Sequence, residues 1–315
     1  MRPRTRAGLL KFRPLRSGSR VALVAPASPF AREEFDAGLA ELKRLGLKPV
    51  YDESIFDRRV FLAGTAAARA EALHHAWSQP DIDAIIAVRG GYGSVETLPM
   101  LSIQKIRSNR TAFIGYSDLT SLHTFLGGKA GLASVHGVMI DGRLARGPST
   151  YDPDSFLRAL GAEPLGELAP PDLHVVRAGE ASGPLFGGTL TQLLSSFGTP
   201  YEFRPPSGHV LFIDEVSERP YRLHRMLTQW RLAGRFEDCA AVVFGQMPKC
   251  DEPGGTITAL QIVHDCLLDF PRPVLFGFPS GHTTTPLISL PFGVETRVIA
   301  SGDPKLVVEE SAAEQ

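Results

Sequence analysis

The sequence predicts an α/β fold: an N-terminal, mostly parallel sheet with flanking helices, then a β-rich α/β C-terminal domain, with the active site at their interface. Three observations predict it. Wholly apolar runs such as residues 21–25 and 84–88 read as strands buried on both faces. Helically spaced stretches separate them, so strand and helix alternate in the first half. Beyond about residue 180 strands outnumber helices, and the valine-rich runs at 294–300 and 305–308 look like a closing hairpin.

Taken in order, strands are expected at 21–25, 49–51, 82–88 and 112–115, with helices at 33–45, 66–77 and near 95–101. A further helix begins near Asp118, because Leu119, Leu122 and Leu126 recur at helical spacing. From 142 to 179 the pattern dissolves into Gly147-Pro148, Asp152-Pro153, Pro164 and Pro170-Pro171, which predicts a linker with one short helix at 155–160. After Gly187-Gly188 come a helix from Leu190, strands at 210–214 and 241–244, and a helix at 257–268. A strand at 273–276 and a closing hairpin at 294–300 and 305–308 complete the chain. The expected domains are a basic tail at 1–20, an N-terminal domain at 21–145, a linker at 146–180 and a C-terminal domain at 181–315.

The chain has 315 residues, is 43% hydrophobic and carries a net charge of −1, so no global field draws it to nucleic acid or an anionic membrane. Positive charge does gather in Arg2, Arg4, Arg6, Lys11, Arg13, Arg16 and Arg20, which reads as a solvated tail. No apolar region of a secretory signal follows it, and no run approaches the roughly 18 apolar residues of a membrane span. Cys239, Cys250 and Cys266 form no metal-binding or redox spacing, and a cytoplasmic location is expected.

Two segments carry chemistry. In Thr111-Ala112-Phe113-Ile114-Gly115-Tyr116-Ser117-Asp118 an apolar strand runs into a helix, so Ser117 falls at a sharp turn on the carboxyl edge of the sheet. Helix-opening N–H groups there favour negative charge, as acyl transfer by a serine requires. The second glycine of G-x-S-x-G is missing, so a buried serine at an ordinary junction is the competing reading. Arg89-Gly90-Gly91-Tyr92-Gly93 follows the strand at 82–88 and can present main-chain donors to an oxyanion or carboxylate. Glu96 stands where G-x-G-x-x-G needs glycine, which argues against a phosphate cradle.

With their surroundings these segments resemble the LD-carboxypeptidase family of serine peptidases, which includes the microcin C self-immunity peptidases. The resemblance also takes in Val21 to Pro29, Ala63-Gly64-Thr65 with Arg69, Gly187-Gly188, Gly198-Thr199-Pro200, Glu218 with Pro220-Tyr221-Arg222, Arg225-Met226-Leu227, and Gly277-Phe278-Pro279-Ser280-Gly281-His282. It implies Ser117 as nucleophile, His282 as general base, and the N–H groups of Gly91 and Asp118 as oxyanion donors. Arg89, Gly90 and Tyr92 are expected to contact substrate, Arg89 through a carboxylate. The triad acid is expected to be Asp214, with Glu215 as rival, because Asp214-Glu215 reverses the family's usual Glu-Asp; Glu218 is a further carboxylate. If His282 is not the base, His224 is the next histidine to weigh. Gly-Gly-Asn-Leu of relatives is here Gly187-Gly188-Thr189-Leu190. The implied activity is cofactor-independent hydrolysis of an L,D-amide in a small peptide such as a murein tetrapeptide, by a homodimer that binds neither nucleic acid nor membrane. A peptidyl-nucleotide substrate and a non-catalytic peptide-binding relative are the alternatives.

Overall fold

The computed structural model describes residues 8–314. Five strands form the parallel part of the first sheet: β1 (Arg20–Val24), β2 (Lys48–Val50), β3 (Ala84–Ala87), β4 (Ala112–Gly115) and β5 (Ser134–His136). The second sheet takes β6 (Gly166–Leu168), β7 (His174–Arg177), β8 (Gly179–Thr189), β9 (His209–Asp214), β10 (Cys239–Gly245) and β11 (Val274–Phe278). β12 (Leu290–Phe292) returns to the first sheet, and β13 (Glu295–Ala300) and β14 (Lys305–Val308) complete the second. The orders are β12-β5-β4-β3-β1-β2 and β6-β14-β13-β8-β9-β10-β11-β7. In the first sheet only β12 runs antiparallel to its neighbour; in the second, β8 to β11 are parallel and the outer pairings antiparallel.

Helices α1 (Arg32–Arg44), α2 (Ala66–Ser78), α3 (Ile103–Asn109) and α4 (Thr120–Phe125) belong to the first half. α5 (Pro153–Ala159) stands between the halves, and α6 (Leu190–Ser195), α7 (Pro220–Leu232) and α8 (Ala259–Cys266) to the second. β3 and β4 are buried along their whole length, as covered parallel strands must be. The stretch expected to be helical near 95–101 is a 3₁₀ helix over Ser94–Met100 containing Pro99, whose missing N–H cannot serve an α-helical ladder.

Alternation along β9 divides the interior. Val210 and Phe212 join the core shared with the N-terminal half, while Leu211 and Ile213 face Leu190, Leu223, Leu227 and Trp230 of α6 and α7. β10 repeats this with Ala241 and Val243 on one side and Val242 and Phe244 on the other.

Two expectations about organisation change. Arg2, Arg4 and Arg6 lie outside the described residues, but residues 8–20 do not form a solvated tail. Phe12 is fully buried, Leu10 N donates to Gly131 O at 2.7 Å, and three of the cations are engaged: Lys11 with Glu310 at 2.7 Å, Arg13 with Ile82 O at 2.7 Å, Arg20 with Asp81. Apolar side chains set between the charges carry the segment onto the core. The stretch at 146–180 likewise contributes β6 and β7 to opposite edges of the second sheet. Their residues are mostly part-exposed, as befits edges, and so lack the apolar signal of an interior strand.

Candidate active site

The turn after β4 sets Ser117 in the left-handed region, with φ +66°. A non-glycine residue there stores on the order of 1–3 kcal/mol of strain and persists only when its surroundings fix it. A 3₁₀ turn over Ser117–Leu119 feeds α4, so Ser117 sits at the mouth of a helical segment. Gly90 packs against it: a Cβ on that glycine would lie 2.9 Å from Ser117 Cβ and 3.2 Å from Oγ. The Ser117 hydroxyl meets His282 Nε2 at 3.1 Å.

His282 lies on the loop after β11. Its Nδ1 donates to Asp214 Oδ2 at 2.6 Å and its backbone N–H donates to the same oxygen at 2.9 Å. With Nδ1 carrying the proton, Nε2 of the neutral ring is left as an acceptor for the serine hydroxyl. Asp214 ends β9 on the side of Val210 and Phe212, which turns it toward the N-terminal half, and it is fully buried. Its Oδ1 accepts from Thr189 Oγ1 at 2.9 Å. Burial alone would raise this carboxyl, but the charge and hydrogen bonds of His282, with His136 nearby, hold it at about 2.

Glu215 points to the other face. Its carboxylate accepts from Thr191 N at 2.9 Å, Thr191 Oγ1 at 2.7 Å and Val216 N at 3.0 Å, so it braces the first turn of α6. Burial raises its carboxyl above the usual range. Glu218 pairs with Arg222 at 2.6 Å. His224 is exposed on α7 beside Thr228. Of the carboxylates and histidines weighed in the sequence, Asp214 and His282 are the two joined to Ser117.

The glycine-rich loop is tied down from three directions. Tyr92 N donates to Ser28 Oγ at 3.1 Å, and a Cβ on Gly91, whose φ is +97°, would collide with that hydroxyl. The buried Arg69 guanidinium donates to Pro26 O and Gly93 O at 2.6 Å each and to Glu96 at 2.5 Å. Asp118 accepts from Ser94 N at 2.8 Å and Gly93 N at 3.3 Å, which links the loop to the start of the helical turn. Arg89 is exposed, donates to Pro29 O at 3.3 Å and pairs with Asp141 at 3.4 Å. Tyr92 is half-exposed and meets Phe61 edge-on at 5.6 Å.

Sequence reasoning missed three neighbours of this cluster. Thr189 was visible only as a departure from the family pattern, yet it supplies Asp214's third hydrogen bond. His136, at the end of β5, is fully buried with Nδ1 3.2 Å from Ser280 Oγ and Nε2 3.9 Å from Asp214 Oδ1. Burial pushes it down to about 4, and His123, equally buried between Ser134 and Gly115 O, to about 3. Arg143 reaches the histidine loop from the N-terminal half. Among the described residues no group of three or more His, Cys, Asp and Glu is disposed to hold a metal, and no helix is long and apolar enough to cross a membrane.

A serine on a strained strand–helix turn, hydrogen-bonded through a histidine to a buried carboxylate, is an arrangement found in hydrolases on several unrelated folds. Here the family is defined by the chain itself. Residues 21–137 match the LD-carboxypeptidase N-terminal domain and residues 182–298 the LD-carboxypeptidase C-terminal domain, and the protein belongs to that family. It is 29% identical to a probable murein peptide carboxypeptidase of Bacillus subtilis over 97% of each chain. The structure of a muramoyltetrapeptide carboxypeptidase from Oxalobacter formigenes superimposes with a TM-score of 0.83, at 25% identity, over 94% of this chain and 100% of the other. A microcin C7 self-immunity protein in complex with aspartyl sulfamoyl adenosine shares the fold at TM-score 0.91, with 24% identity over 97% of this chain and 100% of that one.

Proposed function

We propose that this protein is a serine carboxypeptidase that hydrolyses an L,D-amide bond in a small peptide such as a murein tetrapeptide. The observation that carries the reading is the chain of hydrogen bonds from Ser117 Oγ through His282 to Asp214, assembled from three separate segments of sequence. Ser117 Oγ attacks the amide carbon while His282 Nε2 takes its proton. The N–H groups of Gly91 and Asp118 hold the oxyanion of the tetrahedral intermediate, and removing one such donor typically costs on the order of a hundredfold in rate. Collapse breaks the C–N bond, and the proton on Nε2 passes to the leaving amine. Water then attacks the acyl carbon as Nε2 takes its proton, and that proton returns to Ser117 Oγ as the C–O bond to the serine breaks and the acid leaves. Asp214 keeps Nδ1 protonated and stabilises the imidazolium. Gly90 and Tyr92 line the approach, and Arg89, once drawn from Asp141, meets the substrate carboxylate. Three free, buried cysteines fit a reducing compartment, in line with the cytoplasm.

The test is Ser117→Ala, assayed on a tetrapeptide ending in D-Ala and on an aminoacyl-nucleotide. Turnover of the tetrapeptide by the wild type, lost at least a thousandfold in the variant with an unchanged melting temperature, is the expected result. Residual activity within tenfold of wild type would sink the serine mechanism. Preference for the aminoacyl-nucleotide would move the substrate class, and inhibition by EDTA reversed by added metal would replace the mechanism.

A further inference from the structure

Ser117 and His282 stand on different halves of the molecule, so their 3.1 Å contact depends on whatever holds the histidine loop against the first sheet. From its own half the loop is held at Asp214, which accepts from His282 N, and at Gln246. The Gln246 side chain accepts from Thr284 N at 2.9 Å and donates to Thr285 Oγ1 at 2.8 Å. From the N-terminal half it is held by Arg143, in the turn after β5. Arg143 Nη2 donates to Thr283 Oγ1 at 3.0 Å, Thr283 O at 3.2 Å and Gly281 O at 3.3 Å. The carbonyls it grips are those of the residues on either side of His282.

The arginine is itself fixed. Nη1 donates to Thr150 O at 2.9 Å, and Thr150 Oγ1 donates back to Arg143 O at 2.9 Å. The buried phenol of Tyr116, the residue before Ser117, feels the charge of the same guanidinium, and its ring meets His282 edge-on at 5.2 Å. One side chain thus ties the turn at 143–150 of the N-terminal half to both flanks of the histidine. Only a planar fork with several N–H groups reaches so many acceptors at once, and an ammonium in its place would drop some of them.

We propose that Arg143 is a positioning residue that sets the distance and angle between His282 and Ser117. The inference rests on the serine mechanism above. In the absence of the clamp the loop keeps its Asp214 and Gln246 ties, so the fold survives while the base drifts from the nucleophile. Misplacement of about 1 Å between reacting groups costs on the order of a hundredfold.

The experiment compares Arg143→Ala, Arg143→Lys and Thr283→Val by kcat, KM, melting temperature, and the rate at which a fluorophosphonate labels Ser117. Arg143→Ala is expected to lose about a hundredfold in kcat and in labelling rate, with KM within threefold, and to regain activity with added guanidinium. Arg143→Lys should fall between it and wild type. Thr283→Val, which removes one acceptor and keeps both carbonyls, should lose only several-fold. A kcat for Arg143→Ala within threefold of wild type would overturn the inference. So would a loss that tracks the melting temperature in all three variants and is not restored by guanidinium. Ser117→Ala and His282→Ala run in parallel separate the two ideas. If they keep activity the serine mechanism fails, and if they are inactive while Arg143→Ala is not, only the clamp does.

Discussion

Replacing Asp214 by asparagine removes a charge at nearly constant shape, and its effect can be worked from the structure. Oδ2 accepts two hydrogen bonds from His282, at 2.6 Å and 2.9 Å, and Oδ1 accepts one from Thr189 at 2.9 Å. An amide can satisfy these donors in one orientation only, with its oxygen toward His282 and its NH₂ toward a rotated Thr189 hydroxyl. The opposite orientation sets an NH₂ against two N–H donors and drives the ring into the wrong tautomer. Even in the favourable orientation, the attraction between imidazolium and carboxylate is gone. At about 4 Å between charge centres and an effective dielectric of about 20 that attraction is about 4 kcal/mol. Since about 1.4 kcal/mol is a factor of ten, Asp214→Asn should lose about a thousandfold in kcat. Glu215→Gln weakens two hydrogen bonds at the start of α6 and one from Val216 N, all away from His282. It should cost about 1 kcal/mol of stability and less than fivefold in rate. Steady-state kinetics on an L,D-peptide, with thermal melts of both variants, measures each effect. A larger rate loss in Glu215→Gln than in Asp214→Asn would refute the assignment of the triad acid.

Two further outcomes are expected. His136 and His123 are held neutral in the fold, at about 4 and about 3, while in the unfolded chain each protonates near 6.5. Their stabilising contribution is therefore complete above about pH 6.5 and declines as pH falls from there toward 4 and 3, by about 1.4 kcal/mol per unit for each histidine. A melting temperature that stays constant between pH 7.5 and pH 5 would contradict the buried neutral pair. Gly281 has φ +73°, and a Cβ there would collide with Asp214 Oδ2 and stand 3.0 Å from His136 Cε1. Gly281→Ala should lower kcat by more than tenfold, because the loop must retreat and carry His282 with it; a rate within twofold of wild type in a folded variant would show that the loop has slack.

The fold was legible where burial is complete and the period is simple. β3 and β4 read directly because all four residues of each are apolar or glycine and punctuation follows. β5 and β12 were missed. Each has three residues, β12 includes a proline suited only to an edge, and they pair with each other across 154 residues of sequence (His136 with Leu290). β6 and β7 hid among prolines because edge strands with one wet face carry little apolar signal. Ser117 and the glycine loop were visible for a local reason, each being a turn that few residue types can make. His282 and Asp214 became readable through family resemblance, since no local pattern joins them. Arg143 and His136 left no trace in the sequence: their partners Thr283 and Ser280 lie 140 and 144 residues away. Such contacts are products of the packed interface between the halves.

The reversed acid pair shows how register outranks residue identity. The position that faces the N-terminal half is set by β9, whose Val210 and Phe212 already face it, so residue 214 must follow, whichever acid it carries. Moving Glu215 into that place would need either a bulge at the strand end or a one-residue slip of the strand, which would turn Val210 and Phe212 away from the shared core. Instead the strand runs unbroken to Asp214, and the loop meets the shorter side chain. Gly281 has no Cβ, so the backbone before His282 comes close enough for both the imidazole and the His282 N–H to share Oδ2. In the proposed mechanism the methylene lost from the acid is thus supplied by the approach of the loop, with Arg143 and Gln246 holding it there. A glutamate at 214 would then be too long for this loop, so Asp214→Glu should lower kcat although it restores the commoner family residue. Activity of Asp214→Glu equal to wild type would mean that the loop follows the acid, and that the clamp is looser than its hydrogen bonds require.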